Sequence, residues 1–198
     1  MLKTNIILIG PSGTGKTTMA RLVGDALKAP FLDLDEIRWN YYKEIGYDHE
    51  HAEKLRAEGG MEAMVAYWKP FEIYSVERMF QDYPSGYVLA FGAGQSVYDD
   101  PELFARVQKA LAPYIVILLL PSPDVNESLP MLSERIRAGE PDLPDEFFPH
   151  IENMNRYFIV NPANATLADY TVYTKGKTPD ETRDEILALI SSRLTLNA

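Results

Sequence analysis

The chain has 198 residues, 46% hydrophobic and 24% charged, which excludes disordered and collagen-like classes and sets one self-sufficient core as the expectation. It has no cysteine, so a disulfide framework, a cysteine nucleophile and a cysteine-ligated zinc site are excluded. With 19 Lys and Arg against 29 Asp and Glu, the formal charge is −10; so acidic a chain lacks the footprint of a duplex-DNA or anionic-membrane binder, and any anionic ligand must be held by a local site.

In chain order, Met1–Lys3 leads directly into an apolar run and reads as carrying no signal peptide. Asn5–Ile9 is short, β-branched and continuously apolar, the pattern of a strand buried on both faces of a parallel sheet. Lys16–Lys28 follows a glycine-rich turn and places Met19, Leu22, Val23, Ala26 and Leu27 at helical spacing, with Pro30 as its stop. Phe31–Leu34, Tyr87–Phe91, Tyr114–Leu120 and Tyr170–Thr174 read as four further strands. The longest apolar run, Tyr114–Leu120, is far below the ~20 residues of a membrane helix, so a cytoplasmic protein without nucleic-acid or membrane partners is expected. Thr178-Pro179-Asp180-Glu181 is a capping box with proline at the first helical position, and Ile186, Leu187, Ile190 and Leu194 form the stripe of the helix it opens.

Strands alternating with helices predict an α/β three-layer sandwich on a five-stranded parallel sheet, with 1–198 as a single domain. Two connections exceed simple crossovers. Residues 36–83 have room for three helices, and residues 130–150 lie in the other connection. There Ala138–Pro149 holds four acids, three prolines and a glycine and is expected to be a mobile loop.

Gly10-Pro11-Ser12-Gly13-Thr14-Gly15-Lys16-Thr17 fits G-x-x-x-x-G-K-[ST] without departure, after an apolar strand and before an amphipathic helix. The glycines let backbone N–H groups wrap a β-phosphate, and the next helix aims its positive end at the same anion. Lys16 is expected on the β- and γ-phosphates, Thr17 on Mg²⁺, with Thr18 completing the nucleotide site. No Asn-Lys-x-Asp stretch selects guanine, so ATP is expected over GTP, and no apolar strand runs into an Asp-Glu pair as in many motor ATPases.

Asp33 and Asp35 close the second strand, where ligands gather in open parallel sheets. Period-two spacing puts both on one side if the strand continues: one for Mg²⁺, the other to accept an attacking hydroxyl's proton. The alternative is an acidic loop or a helix N-cap. Gly92-Ala93-Gly94 ends the third strand, either opening backbone amides to a ligand or forming a plain turn. His49 and His51 read as solvated surface residues without a third metal ligand.

In this order the motifs resemble the shikimate kinase branch of the small P-loop kinases. Phe31-Leu32-Asp33-Leu34-Asp35 is similar to that family's Asp-x-Asp motif, and Trp68-Lys69-Pro70-Phe71-Glu72 to its Phe-Arg-x-x-Glu motif. Gly92-Ala93-Gly94 resembles its triple-glycine turn with the middle glycine lost, and Ala168–Thr174 its last strand. The resemblance implies a P-loop fold, ATP and Mg²⁺, Asp33 near the metal and Asp35 as candidate base on the acceptor hydroxyl. It implies Lys69 toward an anionic group of the acceptor, and Gly92, Ala93 and Gly94 lining the pocket. It also implies that 36–83 is the acceptor-binding region and 130–150 a lid, with a lid arginine over the phosphate, for which Arg137 is the candidate, Arg135 on the adenine side and Arg156 next in line. The departures are a lysine at 69 where the family has arginine, and Glu140-Pro141-Asp142-Leu143 where it has Arg-Pro-Leu-Leu. Trp39, Tyr41, Tyr42, Tyr47, Tyr67, Trp68, Phe71 and Tyr74 either line a pocket or pack the extra helices. The expected function is ATP-dependent phosphorylation of a small hydroxylated metabolite. The alternatives are a nucleotide switch acting through a partner, and a nucleoside or nucleotide kinase.

Overall fold

The computed structural model describes residues 2–196. Its five strands are β1 (Ile6–Ile9), β2 (Phe31–Asp33), β3 (Val88–Ala90), β4 (Ile115–Leu120) and β5 (Tyr170–Tyr173), all parallel in the order β2-β3-β1-β4-β5. The helices are α1 (Lys16–Leu27), α2 (Leu34–Glu44), α3 (His49–Asp82), α4 (Pro101–Leu111), α5 (Val125–Gly139), α6 (Phe148–Val160), α7 (Pro162–Leu167) and α8 (Pro179–Leu196). Gly60, at φ 74°, breaks α3 into two segments, so 36–83 holds three helical pieces. Among the described residues no helix is long and apolar enough to cross a membrane.

Period-two alternation explains the continuously apolar strands. Ile7, Ile9, Leu89 and Val116 face one side of the sheet, where Ile73, Val76 and Met79 of α3 and Val107 of α4 cover them. Ile6, Leu8, Val88 and Ile117 face the other, covered by Met19, Ala20 and Val23 of α1 and by Ile186 and Ile190 of α8. Both faces are shielded, so polar residues have no place in the central strands. The capping box forms as expected: Thr178 N–H donates to Glu181 Oε2 at 2.8 Å and Glu181 N–H to Thr178 Oγ1 at 3.2 Å. Leu187 packs beside the α8 stripe. Leu194, expected in that stripe, has a side chain outside the described residues.

Three local expectations are corrected. α1 is ended by Lys28 in the left-handed region (φ 52°), before Pro30 is reached. β2 stops at Asp33, one residue early, because the Asp33 carboxylate accepts from Asp35 N–H and starts α2. Ala138–Pro149 has more structure than a loop: α5 runs to Gly139, a 3₁₀ turn covers Asp145–Phe147, and α6 begins at Phe148. Arg137 pairs with Asp145 and sits 3.6 Å over the Phe148 ring, which gives this segment anchors.

Candidate active site

The loop after β1 is shaped by its glycines. Gly10, at φ 137°, lies against the Leu119 carbonyl of β4, where a Cβ would overlap that oxygen. Gly15, at φ 89°, is the N-cap of α1 and no side chain caps this helix, so its first-turn N–H groups stay open to an anion. Thr14 Oγ1 donates to the Pro11 carbonyl at 3.0 Å and closes the loop on itself. Lys16 folds across it, its Nζ donating to the carbonyls of Gly10 (2.9 Å) and Pro11 (2.8 Å). Burial pulls the Lys16 pKa from 10.5 down to about 8, against the opposing pull of Asp35 and Asp33.

Thr17 Oγ1 donates to Asp33 Oδ2 at 2.7 Å, joining the first turn of α1 to the end of β2. The two readings of Asp33 therefore coincide: one carboxylate oxygen caps α2 and the other meets Thr17. Thr18 is exposed in the same turn. The two acids do not share a continuing strand. Asp35 lies in the first turn of α2, paired with Arg38 Nη1 at 2.9 Å, and its carboxylate fills the space a Cβ on Gly92 would need. The Gly92 N–H is itself engaged, donating to Gln95 Oε1 at 2.7 Å.

Lys69 and Glu72 are neighbours one helical turn apart on α3. Lys69 Nζ donates to Glu72 Oε2 (2.7 Å), to the Gly94 carbonyl (2.8 Å) and to the Val97 carbonyl (2.9 Å), so all three ammonium N–H groups are occupied. Lys69, expected to meet an acceptor anion, borders the cleft with its three donors turned to Glu72, Gly94 and Val97.

Ser12, Asp35, Arg38, Lys69 and Gly94 converge on one cleft of about 340 Å³ beside the phosphate-binding loop, and Ala93 also lines it. Its opposite wall is apolar, built from Met64 and Trp68 of α3 and from Ile151, Met154 and Phe158 of α6. Of the aromatic residues in the extra helices only Trp68 borders this space. Tyr42, Tyr47, Tyr67 and Phe71 contact one another at 5.0–5.8 Å between ring centres, mostly tilted or edge-on, and pack α2 on α3. Burial and the Glu72 carboxylate push the Tyr98 hydroxyl well up, and Tyr42 moves the same way for the same reasons. Those two hydroxyls, with Arg38 Nε and Gln95 Nε2, are buried polar atoms without a partner among the described residues. All four belong to the polar wall and its immediate support.

The lid arginines lie elsewhere. Arg135 Nη1 donates to Thr174 Oγ1 at 3.0 Å, just past β5. Arg137, held by Asp145 and Phe148, faces a separate concavity between α5 and α6 that Arg156 also lines. The structure therefore does not bring Arg137 or Arg156 to the cleft, because the 3₁₀ turn supplies Arg137 with a nearer carboxylate.

Arg38 and Asn155 were missed from the sequence, and Glu72, quoted there as the end of the Trp68–Glu72 motif, was given no role. Arg38 stands one helical turn beyond Asp35, a spacing that makes an ion pair legible in retrospect. Glu72 likewise follows Lys69 by three residues. Asn155 has no local signal: its Oδ1 accepts from Ser12 N–H at 2.9 Å and its Nδ2 donates to the Ser12 carbonyl at 3.2 Å, clamping α6 onto the loop.

Comparison with known proteins agrees with this architecture. Residues 6–57 match the family model described as ATPase family associated with various cellular activities (AAA). The pentafunctional AROM polypeptide of Schizosaccharomyces pombe is 34% identical over 99 residues, 48% of this chain and 6% of that protein, so the chain spans a small part of this relative. The shikimate kinase of Acinetobacter baumannii in complex with shikimate superposes with a TM-score of 0.66 at 23% identity, over 96% of this chain and 94% of that one. A gluconokinase from Sinorhizobium meliloti 1021 gives 0.60 at 14% identity, over 99% and 98%. The fold is that of the small P-loop kinases.

Proposed function

We propose that this protein transfers the γ-phosphoryl group of Mg·ATP to a hydroxyl of a small metabolite. The observation that carries the reading is a second compartment beside the phosphate-binding loop, with Ser12 on one side and Asp35 on the other. Hydrolysis alone needs no such space. In the transfer, the acceptor oxygen forms a bond to Pγ as the bond from Pγ to the bridging oxygen of ADP breaks, and the hydroxyl proton passes to the Asp35 carboxylate. Arg38 pairs with Asp35 at 2.9 Å. Lys16 and the open amides of α1 stabilise the phosphate charge. Thr17 and Asp33 present two oxygens 2.7 Å apart, a donor set that would hold Mg²⁺. Held there, Mg²⁺ would supply neutralisation of phosphate charge. Arg135, beside Thr174, serves the adenine side.

The test is ADP release in a coupled assay with a panel of hydroxylated acceptors. An acceptor should raise turnover well above hydrolysis by water. Lys16→Met should keep the wild-type circular dichroism spectrum and lose at least about 100-fold in turnover, the scale of one preorganised charge contact. Near-wild-type turnover in that variant would overturn the reading.

A further inference from the structure

The two walls of the cleft differ in kind, and that difference bears on the acceptor. On the polar wall the two cations already have carboxylate partners, although Arg38 keeps a buried Nε–H without one. Lys69 is saturated by Glu72 and two carbonyls, and Arg38 is paired with Asp35. His150 and Asn155 of α6 also line the cleft, His150 exposed and Asn155 with its amide already bonded to Ser12; beside them Met64, Trp68, Ile151, Met154 and Phe158 offer almost no hydrogen-bonding capacity, since a thioether is a weak acceptor and Trp has a single donor. That donor is occupied: Trp68 Nε1 donates to Tyr47 Oη at 3.0 Å. A compact polyol placed here would press hydroxyls against methionine and phenylalanine, at about 1–3 kcal/mol for each one left without a partner. An apolar surface placed there gains instead, and methionine side chains adapt to its outline.

We infer that the acceptor is an amphipathic alcohol, whose hydroxyl lies at Asp35 and whose apolar body, a ring or a branched chain, lies on the methionine-bearing wall of α3 and α6. The inference rests on the kinase reading and narrows it. About 340 Å³ suits one small molecule of this kind, near the lower end of ordinary ligand pockets. The chemistry is unchanged: the alcohol oxygen takes Pγ, ADP leaves and the proton goes to Asp35. Specificity comes from the wall, because a hydrophobic site discriminates by the contacts an apolar body makes and by the partners a polar body lacks.

The experiment compares four acceptors with the intact protein and Mg·ATP: benzyl alcohol and 3-methylbutan-1-ol as apolar-bodied probes, shikimate and gluconate as polar-bodied ones. Met154→Gln and Met154→Leu are assayed alongside, since Met154 is only half-buried and its replacement spares the main core. The apolar-bodied alcohols should raise ADP release at least about tenfold over water, with shikimate and gluconate within about twofold of it. Met154→Gln should lose about tenfold in kcat/KM for benzyl alcohol, while Met154→Leu, apolar and similar in volume, stays within about threefold. If shikimate or gluconate is turned over as well as benzyl alcohol, the inference is overturned and the kinase reading stands. Equal kinetics of Met154→Gln and Met154→Leu overturn it in the same way. If none of the four accelerates ADP release although Mg·ATP binds, the kinase reading fails and takes the inference with it.

Discussion

Lys16 shows how a single side chain couples burial to nucleotide binding. Its pKa is 10.5 in the ordinary state and about 8 in the folded chain, because desolvation outweighs the attraction of Asp35 and Asp33. Between those values the unfolded chain holds a proton that the native one lacks, so this group's contribution to stability rises with pH from about 8 to 10.5 and is constant below. Nucleotide binding has the opposite sign. Phosphate charge beside Nζ restores the proton, so Mg·ATP affinity should be flat below about pH 8 and fall above it, by up to about tenfold per unit. Titrations at about pH 7, 8 and 9 check this, and Lys16→Met should remove the slope. The two acids should also separate. Asn caps a helix as well as Asp does, so Asp33→Asn should keep the fold while its turnover recovers in part as Mg²⁺ is raised. Asp35→Asn should lose about 10²–10⁴ in transfer, gain nothing from added metal and keep its basal ATP hydrolysis. Identical responses in steady-state assays would reduce the pair to an ordinary acidic turn.

At the scale of elements, the turn after β3 meets α2 at Gly92 and α3 at Gly94, and the two contacts differ in freedom. Asp35, against Gly92, has a side chain 50% exposed and room to swing. Glu72, whose Oε1 would lie 2.6 Å from a Cβ on Gly94, is 5% exposed and pinned by Lys69. Gly92→Ala should therefore displace the base, abolishing transfer with little change in thermal midpoint. Gly94→Ala should cost about 1–3 kcal/mol as an overpacked contact, or roughly 2–4 °C in Tm for each kcal/mol. Thermal unfolding and turnover of both variants decide the matter, and the reverse pattern would contradict it. The α2–α3 unit itself is held by the tilted and edge-on ring contacts of Tyr42, Tyr47, Tyr67 and Phe71, which is why most of the aromatic residues of 36–83 are packing residues.

For the whole molecule, the contact that closes the cleft is Asn155 on Ser12, a bond across 143 residues of chain. It fixes α6, and with it one half of the apolar wall, over the phosphate-binding loop. Asn155→Ala removes both hydrogen bonds and leaves the Ser12 backbone groups short of partners, at about 1–2 kcal/mol. The expected result is faster amide exchange along α6, with α4 on the opposite flank of α3 unchanged, measured by hydrogen–deuterium exchange. Equal exchange in both helices would mean that α6 is held by its apolar contacts alone.

What the sequence determined by itself is local or periodic. The loop Gly10–Thr17, the strands buried on both faces and the capping box at Thr178 follow from spacing, because each rests on interactions within a few residues or on the period of one element. The tertiary structure decided the rest. Whether Asp35 continues a strand or turns into a helix depends on the Asp33 cap and the room left by Gly92. Whether Lys69 is a free cation depends on carbonyls 25 and 28 residues away, and whether Arg137 reaches the cleft depends on Asp145 and Phe148 folding back beneath it. A charge in a motif announces its type at the level of sequence. Its partner is chosen by the tertiary structure, which brings Asp145, exposed as it is, to Arg137, and the Gly94 and Val97 carbonyls to Lys69.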